Sequence, residues 1–217
     1  MPIDAPPGVE IAVAAGPSFV IGEAESGVPL ADQVGAPPAF AIDVGYRFDD
    51  RLSVLGTWAT GFGLVAGEPC KPTYRCPAPM ILSELGAVAR YRLGSHPRID
   101  PWIGAGLAFA VQGGNAKREE LVGGSSGFCL FSCGPTRVEY VETTLRYGLD
   151  ALVSGGVDWR TSKKVGLGLS VSTFVGKYLA VDVTEKKNGE EISSGGGSLD
   201  GSLHAWLLVS GRVVFDP

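Results

Sequence analysis

Histidine and methionine are scarce, with two of each in 217 residues, and the charged fraction of 19% falls below the usual quarter. The only cysteines are Cys70, Cys76, Cys129 and Cys133, spaced C-x5-C and C-x3-C, neither of them a zinc-type C-x2-C pair. So poor a supply of ligands implies no metal and no cofactor. There is no basic excess, since the formal charge is -5, which argues against a nucleic-acid partner. Gly, Pro or a charge interrupts every apolar run before the length of a transmembrane helix, which excludes helical spanning only. Helical periodicity is nearly absent as well. The opening stretch MPIDAPPGVE lacks the charged and apolar regions of a secretory signal and is taken as the start of a mature form with an added Met.

Glycine, by contrast, is abundant, 32 residues or roughly double average usage. Segments of about ten residues with period-two alternation recur along the whole chain, and these are strands. Eight are predicted: Val9 to Ile21, Phe40 to Phe48, Leu52 to Leu64, Glu84 to Leu93, Ile99 to Val111, Leu145 to Arg160, Val165 to Gly176 and Leu203 to Phe215. The links between second and third, fourth and fifth, and sixth and seventh are short; the others run to roughly 15 to 30 residues. Short and long links alternate strictly, which puts all tight turns at one end of an up-and-down meander and all long loops at the other.

Each segment has a large apolar face and a face of Gly, Ala and Ser punctuated by charge. An eight-stranded barrel has an interior only wide enough for packed side chains, so the larger face is expected outside and the smaller inside. That places Glu10, Asp43, Arg47, Glu84, Arg90, Arg92, Arg146, Asp150, Asp158, Arg160 and Arg212 in the lumen. Buried charges survive when paired, so Glu84, Arg90, Arg146 and Asp150 are expected to plug the pore with ion pairs, or to gate it if the pairs exchange. Gly104, Gly106, Gly166 and Gly168 either open a cavity or relieve crowding. On the outer face Phe48, Tyr91, Trp159 and Phe215 gather at the short-turn end and Phe19, Phe40, Phe62, Phe109 and Tyr147 at the other, as two interfacial girdles would. Trp58 falls mid-strand and fits neither.

With these segments, the run Asp100-Pro101-Trp102-Ile103-Gly104-Ala105-Gly106 and a closing strand ending at Phe215, the chain resembles the small eight-stranded outer-membrane proteins of Gram-negative bacteria, the OmpA transmembrane-domain, OmpX and OmpW type. The usual terminal Phe of that family is here followed by Asp216 and Pro217. The resemblance implies an all-β, antiparallel up-and-down transmembrane barrel over residues 8–217, with residues 1–7 as an N-terminal extension. It implies outer-membrane lipid and the barrel-assembly machinery as partners, extracellular long loops and periplasmic termini. The expected function is structural, adhesive or weak small-solute passage by a non-enzymatic monomer, with any extracellular partner meeting the loops.

The four cysteines lie in Gly/Pro/Ser-rich stretches and are expected to form disulfides; pairing within each stretch is favoured, although three pairings exist. The loop from Gly113 to Glu142 is the expected recognition surface. The stretch EKKNGEEISSGGGSLDG is expected to be flexible and solvated. Two other readings stay open: a soluble lipocalin-like ligand-binding barrel, and a lipid-modifying barrel enzyme using Asp200, Ser202 and His204. In the latter, i and i+2 side chains on a strand sit about 6.5 to 7 Å apart, too far for direct catalysis. His96 is expected in a short turn.

Overall fold

The computed structural model describes residues 7–25, 28–29, 36–63, 74–75, 80–94, 98–122, 136–162, 164–199 and 203–217. The eight alternating segments become eight antiparallel strands closed into a ring: β1 (Gly8–Glu25), β3 (Pro38–Arg47), β4 (Leu52–Gly63), β6 (Met80–Arg92), β7 (Ile99–Val122), β8 (Thr136–Arg160), β9 (Val165–Lys187) and β11 (Leu203–Phe215). Each pairs with its successor, and β11 closes on β1 from Ile11↔Phe215 to Gly22↔His204. Closure leaves these strands no open edge within the ring. Among the described residues three short strands lie outside it: β2 (Val28–Pro29) on β1, β5 (Tyr74–Arg75) on β7, and β10 (Glu190–Ser198) on β9.

Period two sets inside and outside as expected. Leu85, Leu107, Leu149 and Val153 point out, and Glu10, Arg47, Arg90 and Arg212 point in. The nine aromatics expected at the interfaces all face outward or lie half-exposed. Phe40 stacks on Phe62 at 6.1 Å and Phe109 on Tyr147 at 6.2 Å, whereas Tyr46 meets Phe48 edge-on at the turn end. Trp58 gains its account here. Its indole donates to Ser83 Oγ at 3.0 Å and its ring meets Phe40 edge-on, so its polar atom is satisfied on an apolar face.

Two expectations need correction. Much of the loop expected between Gly113 and Glu142 is strand, with β7 and β8 paired continuously to Val122↔Thr136. The stretch expected to be flexible and solvated is exposed, as expected, but is a hairpin: β9 runs to Lys187, turns through Asn188 (φ 51°) and Gly189 (φ 87°), and returns as β10, exposed along its length. Asn-Gly with both residues at positive φ is the turn that best matches strand twist, and this local signal outweighs the Gly/Ser composition. All four cysteines and His96 lie outside the described residues, so the disulfide expectation does too.

Candidate functional site

The interior is filled in three layers. At the short-turn end, among the described residues, five guanidinium groups meet five carboxylates. Glu10 receives Arg90 and Arg92 at 2.5 Å each, Arg90 also reaches Asp43 at 2.7 Å, and Arg92 reaches Asp100 at 2.9 Å. Arg212 binds Asp158 at 3.2 Å; Arg47 and Arg160 both pair with Asp216. Ser53 donates a further hydrogen bond to Glu10 at 3.2 Å. Equal numbers of opposite charges are what allow such a layer to be dehydrated. Trp102 roofs it, with the Arg90 and Arg212 guanidiniums 4.2 and 4.7 Å from its ring centre.

Above lies an apolar layer of Leu55, Val88, Leu152, Phe174, Trp206 and Leu208 among smaller residues, with Phe174 and Trp206 stacked at 5.3 Å. The inner face is therefore not uniformly small: Trp102, Phe174, Tyr178 and Trp206 are all buried in it. Glycine makes the room. A Cβ on Gly156 would stand 2.7 Å from the Trp102 ring, and one on Gly104 would stand 2.7 Å from Ser154 Oγ. Gly104 and Gly168 thus relieve crowding rather than open a cavity, and a small cavity beside this layer has room for about one water.

The third layer lies toward the long-loop end. Glu84 on β6, Asp150 on β8 and His204 on β11 converge until one ligand atom from each lies within 4.8 Å of the others, and all three are buried. His204 Nε2 is 3.1 Å from Asp150 Oδ2. The sheet builds this closeness with glycine: Gly176 on β9 stands between His204 and Asp150 in the cross-strand row, and a Cβ there would meet Asp150 Oδ1 at 2.2 Å. Tyr178 lies face to face with the imidazole, centroids 4.1 Å apart and planes 13° apart. A bulge at the next residue, Leu179, follows where Tyr178 pairs with Gly148 and Ala180 with Tyr147. Buried Gln112 and Arg146 lie nearby in the same end of the barrel.

The pairings differ from those expected. Arg90 belongs to the turn-end layer, whereas Glu84 and Asp150 form a separate group with His204. His204 bonds to Asp150 on another strand; Asp200 and Ser202 lie outside the described residues. Sequence reasoning missed Asp100, Asp216 and the joining of His204 to the two carboxylates. For Asp100 and His204 the signal was parity, since each shares the inward register of Trp102 or Trp206. Asp216 follows the last strand, where the terminal-Phe comparison drew attention to its position rather than to its charge.

No protein-family model matches the chain, and no curated protein is similar to it in sequence. Among solved structures it is similar to the neisserial surface protein A (NspA), with 12% identity, a TM-score of 0.51 and 97% of each chain covered. It also aligns with the N-terminal β-barrel domain of Pseudomonas aeruginosa OprF (12%, 0.40, covering 96% of this chain and 97% of that one). Ail, the attachment invasion locus protein of Yersinia pestis, gives 12%, 0.42 and coverages of 95% and 97%. Closed ring, inverted faces and the likeness to NspA agree: this chain has the fold of the small eight-stranded outer-membrane β-barrels.

Proposed function

We propose that the chain spans a bacterial outer membrane with its short turns and both termini on the periplasmic side, and acts non-enzymatically at the cell surface through a β-sheet raised above the barrel. Strand length carries this reading. A membrane-crossing strand needs about 9 to 11 residues, which β3 with 10 and β4 with 12 match. β7, β8 and β9 have 24, 25 and 23. Their surplus lies at the long-loop end, is paired throughout, and is widened by β5 and β10. A stiff sheet of this kind loses little entropy on meeting a partner. The filled interior supports the same reading, because a solute would have to break a neutral ion-pair layer and an apolar one.

Cysteine labelling on intact cells tests it. Ser194→Cys in β10 should react with a membrane-impermeant maleimide above the wild-type background, and Ser162→Cys in a short turn should not. The refolded barrel should give no stepwise conductance in a planar bilayer. Reversed labelling would overturn the orientation, and discrete channel openings would favour small-solute passage through the lumen.

A further inference from the structure

We propose that Glu84, Asp150 and His204 form a binding site for one divalent first-row transition-metal ion, with the Tyr178 hydroxyl beside it. The inference rests on the interior alone and is independent of the surface function proposed above. Three strands deliver three ligand-type side chains to one point, and they do so across small residues: Gly176 between His204 and Asp150, and Ala108 and Ala110 on β7 between β6 and β8. The ligand spacing suits a metal. Two donors about 2.0 to 2.1 Å from a tetrahedral ion stand roughly 3.3 Å apart, and His204 Nε2 and Asp150 Oδ2 stand 3.1 Å apart.

Charge supports the same conclusion. The charged group that acts on Glu84 is Asp150, itself a carboxylate, and the pair is 1% exposed at each residue. Two adjoining carboxylates in a dry interior must share a proton or hold a cation between them, and buried Arg146 at this end acts on Tyr178 rather than on Glu84. A second observation comes from outside the acidic pair. Tyr178 is wholly buried, its ring covers the His204 imidazole, its hydroxyl lies within electrostatic reach of both carboxylates, and that hydroxyl has no hydrogen-bond partner among the described residues. Glu84 Oε2 and Asp150 Oδ1 are likewise unpartnered. So many orphaned acceptors and donors at one buried point would be costly without a guest, and buried polar groups are seldom left unmet. One imidazole with two carboxylates suits Zn2+, Mn2+ or Fe2+; Ca2+ needs six to eight oxygens and is excluded.

The test uses the full chain refolded in detergent, stripped with chelator and exposed to Zn2+, Co2+ or Ca2+ alone. Wild type should retain about one equivalent of Zn2+ after gel filtration, retain no Ca2+, and give with Co2+ the visible absorption of a four- or five-coordinate ion. Glu84→Gln and His204→Gln should each weaken retention at least tenfold, while His96→Gln, which removes the chain's other histidine, should leave it unchanged. Folding of each variant is checked first, without metal, by the heat-modifiable gel shift. A Zn2+-dependent rise in the wild-type melting temperature needs no variant and supports the site if a variant fails to fold. Wild type that retains no metal and shows no such rise would overturn the proposal, leaving a shared proton between the carboxylates. Retention that survives both site variants, or that His96→Gln abolishes, would overturn it too.

Discussion

Glu10 sits where three guanidinium groups converge, bonded to Arg90 and Arg92 and 4.0 Å from Arg212, with none of its surface exposed. Glu10→Gln keeps the shape and removes the charge, so the buried arginines lose their counter-ion. Breaking a buried pair from one side costs about 3 to 5 kcal/mol, and the unfolding midpoint in urea with lipid vesicles should fall accordingly. A loss below about 1 kcal/mol would mean the layer is hydrated. A second residue reports on pH. Asp49, in the turn between β3 and β4, accepts hydrogen bonds from the Leu52 and Arg51 amides at 2.7 and 2.8 Å, which hold its carboxyl below the ordinary 3.8. The unfolded chain therefore takes up the proton first as pH falls. The stabilisation is complete above the unfolded value and disappears as pH drops through the folded one. The gap in urea midpoint between wild type and Asp49→Asn should be constant near neutrality and narrow in acid.

At the level of strands, period two was enough to assign inside and outside, because one register keeps the charges of each strand on one face and most of its large apolar residues on the other. Leu149 on β8 is 60% exposed on the outer face. Leu149→Arg should therefore cost about 2 to 4 kcal/mol in lipid vesicles if it lies near the bilayer midplane. A harmless substitution would reverse the assignment. Ser154, five residues along the same strand, faces in opposite Gly104 beside a cavity with room for about one water, and should reject Arg by steric overlap instead. Strand ends were harder to read. Past Gln112 and Tyr178 the chain no longer alternates cleanly, because few of the side chains there are buried on either face. Register there is carried by backbone pairing and by turns. Asn188-Gly189 is such a turn, and its composition of neighbours concealed it. Gly189→Val forces a β-branched side chain into φ 87°. Amide exchange in β10 should speed up, while the heat-modifiable shift of the barrel stays as in wild type.

For the whole molecule, alternation of short and long links and of large and small faces made the closed barrel and the charges facing its lumen legible, while the partners those charges meet were not. Parity can say that Trp102, His204 and Trp206 point inward, but meeting points inside a ring depend on shear, which brings together residues from strands far apart in sequence. Glu84, Asp150 and His204 are 120 residues apart at the extremes and meet only through that stagger. The same architecture fixes the solvent in which the chain can fold. Leu85, Leu107, Leu149, Val153, Leu169 and Leu203 are each at least 60% exposed, and they belong to a continuous apolar outer wall. The inner wall holds the arginines and carboxylates. In water this arrangement would expose a patch far beyond the few hundred Å² that soluble monomers tolerate, while turning it inside out would crowd the leucines and strip the ion pairs of their partners. Refolding in plain buffer should therefore give aggregate. In detergent or vesicles it should give a β-type circular dichroism spectrum and a band that migrates differently before and after boiling. A dispersed β-rich monomer in buffer alone would require the opposite facing, with the apolar residues around an internal ligand and the lumen charges in solvent.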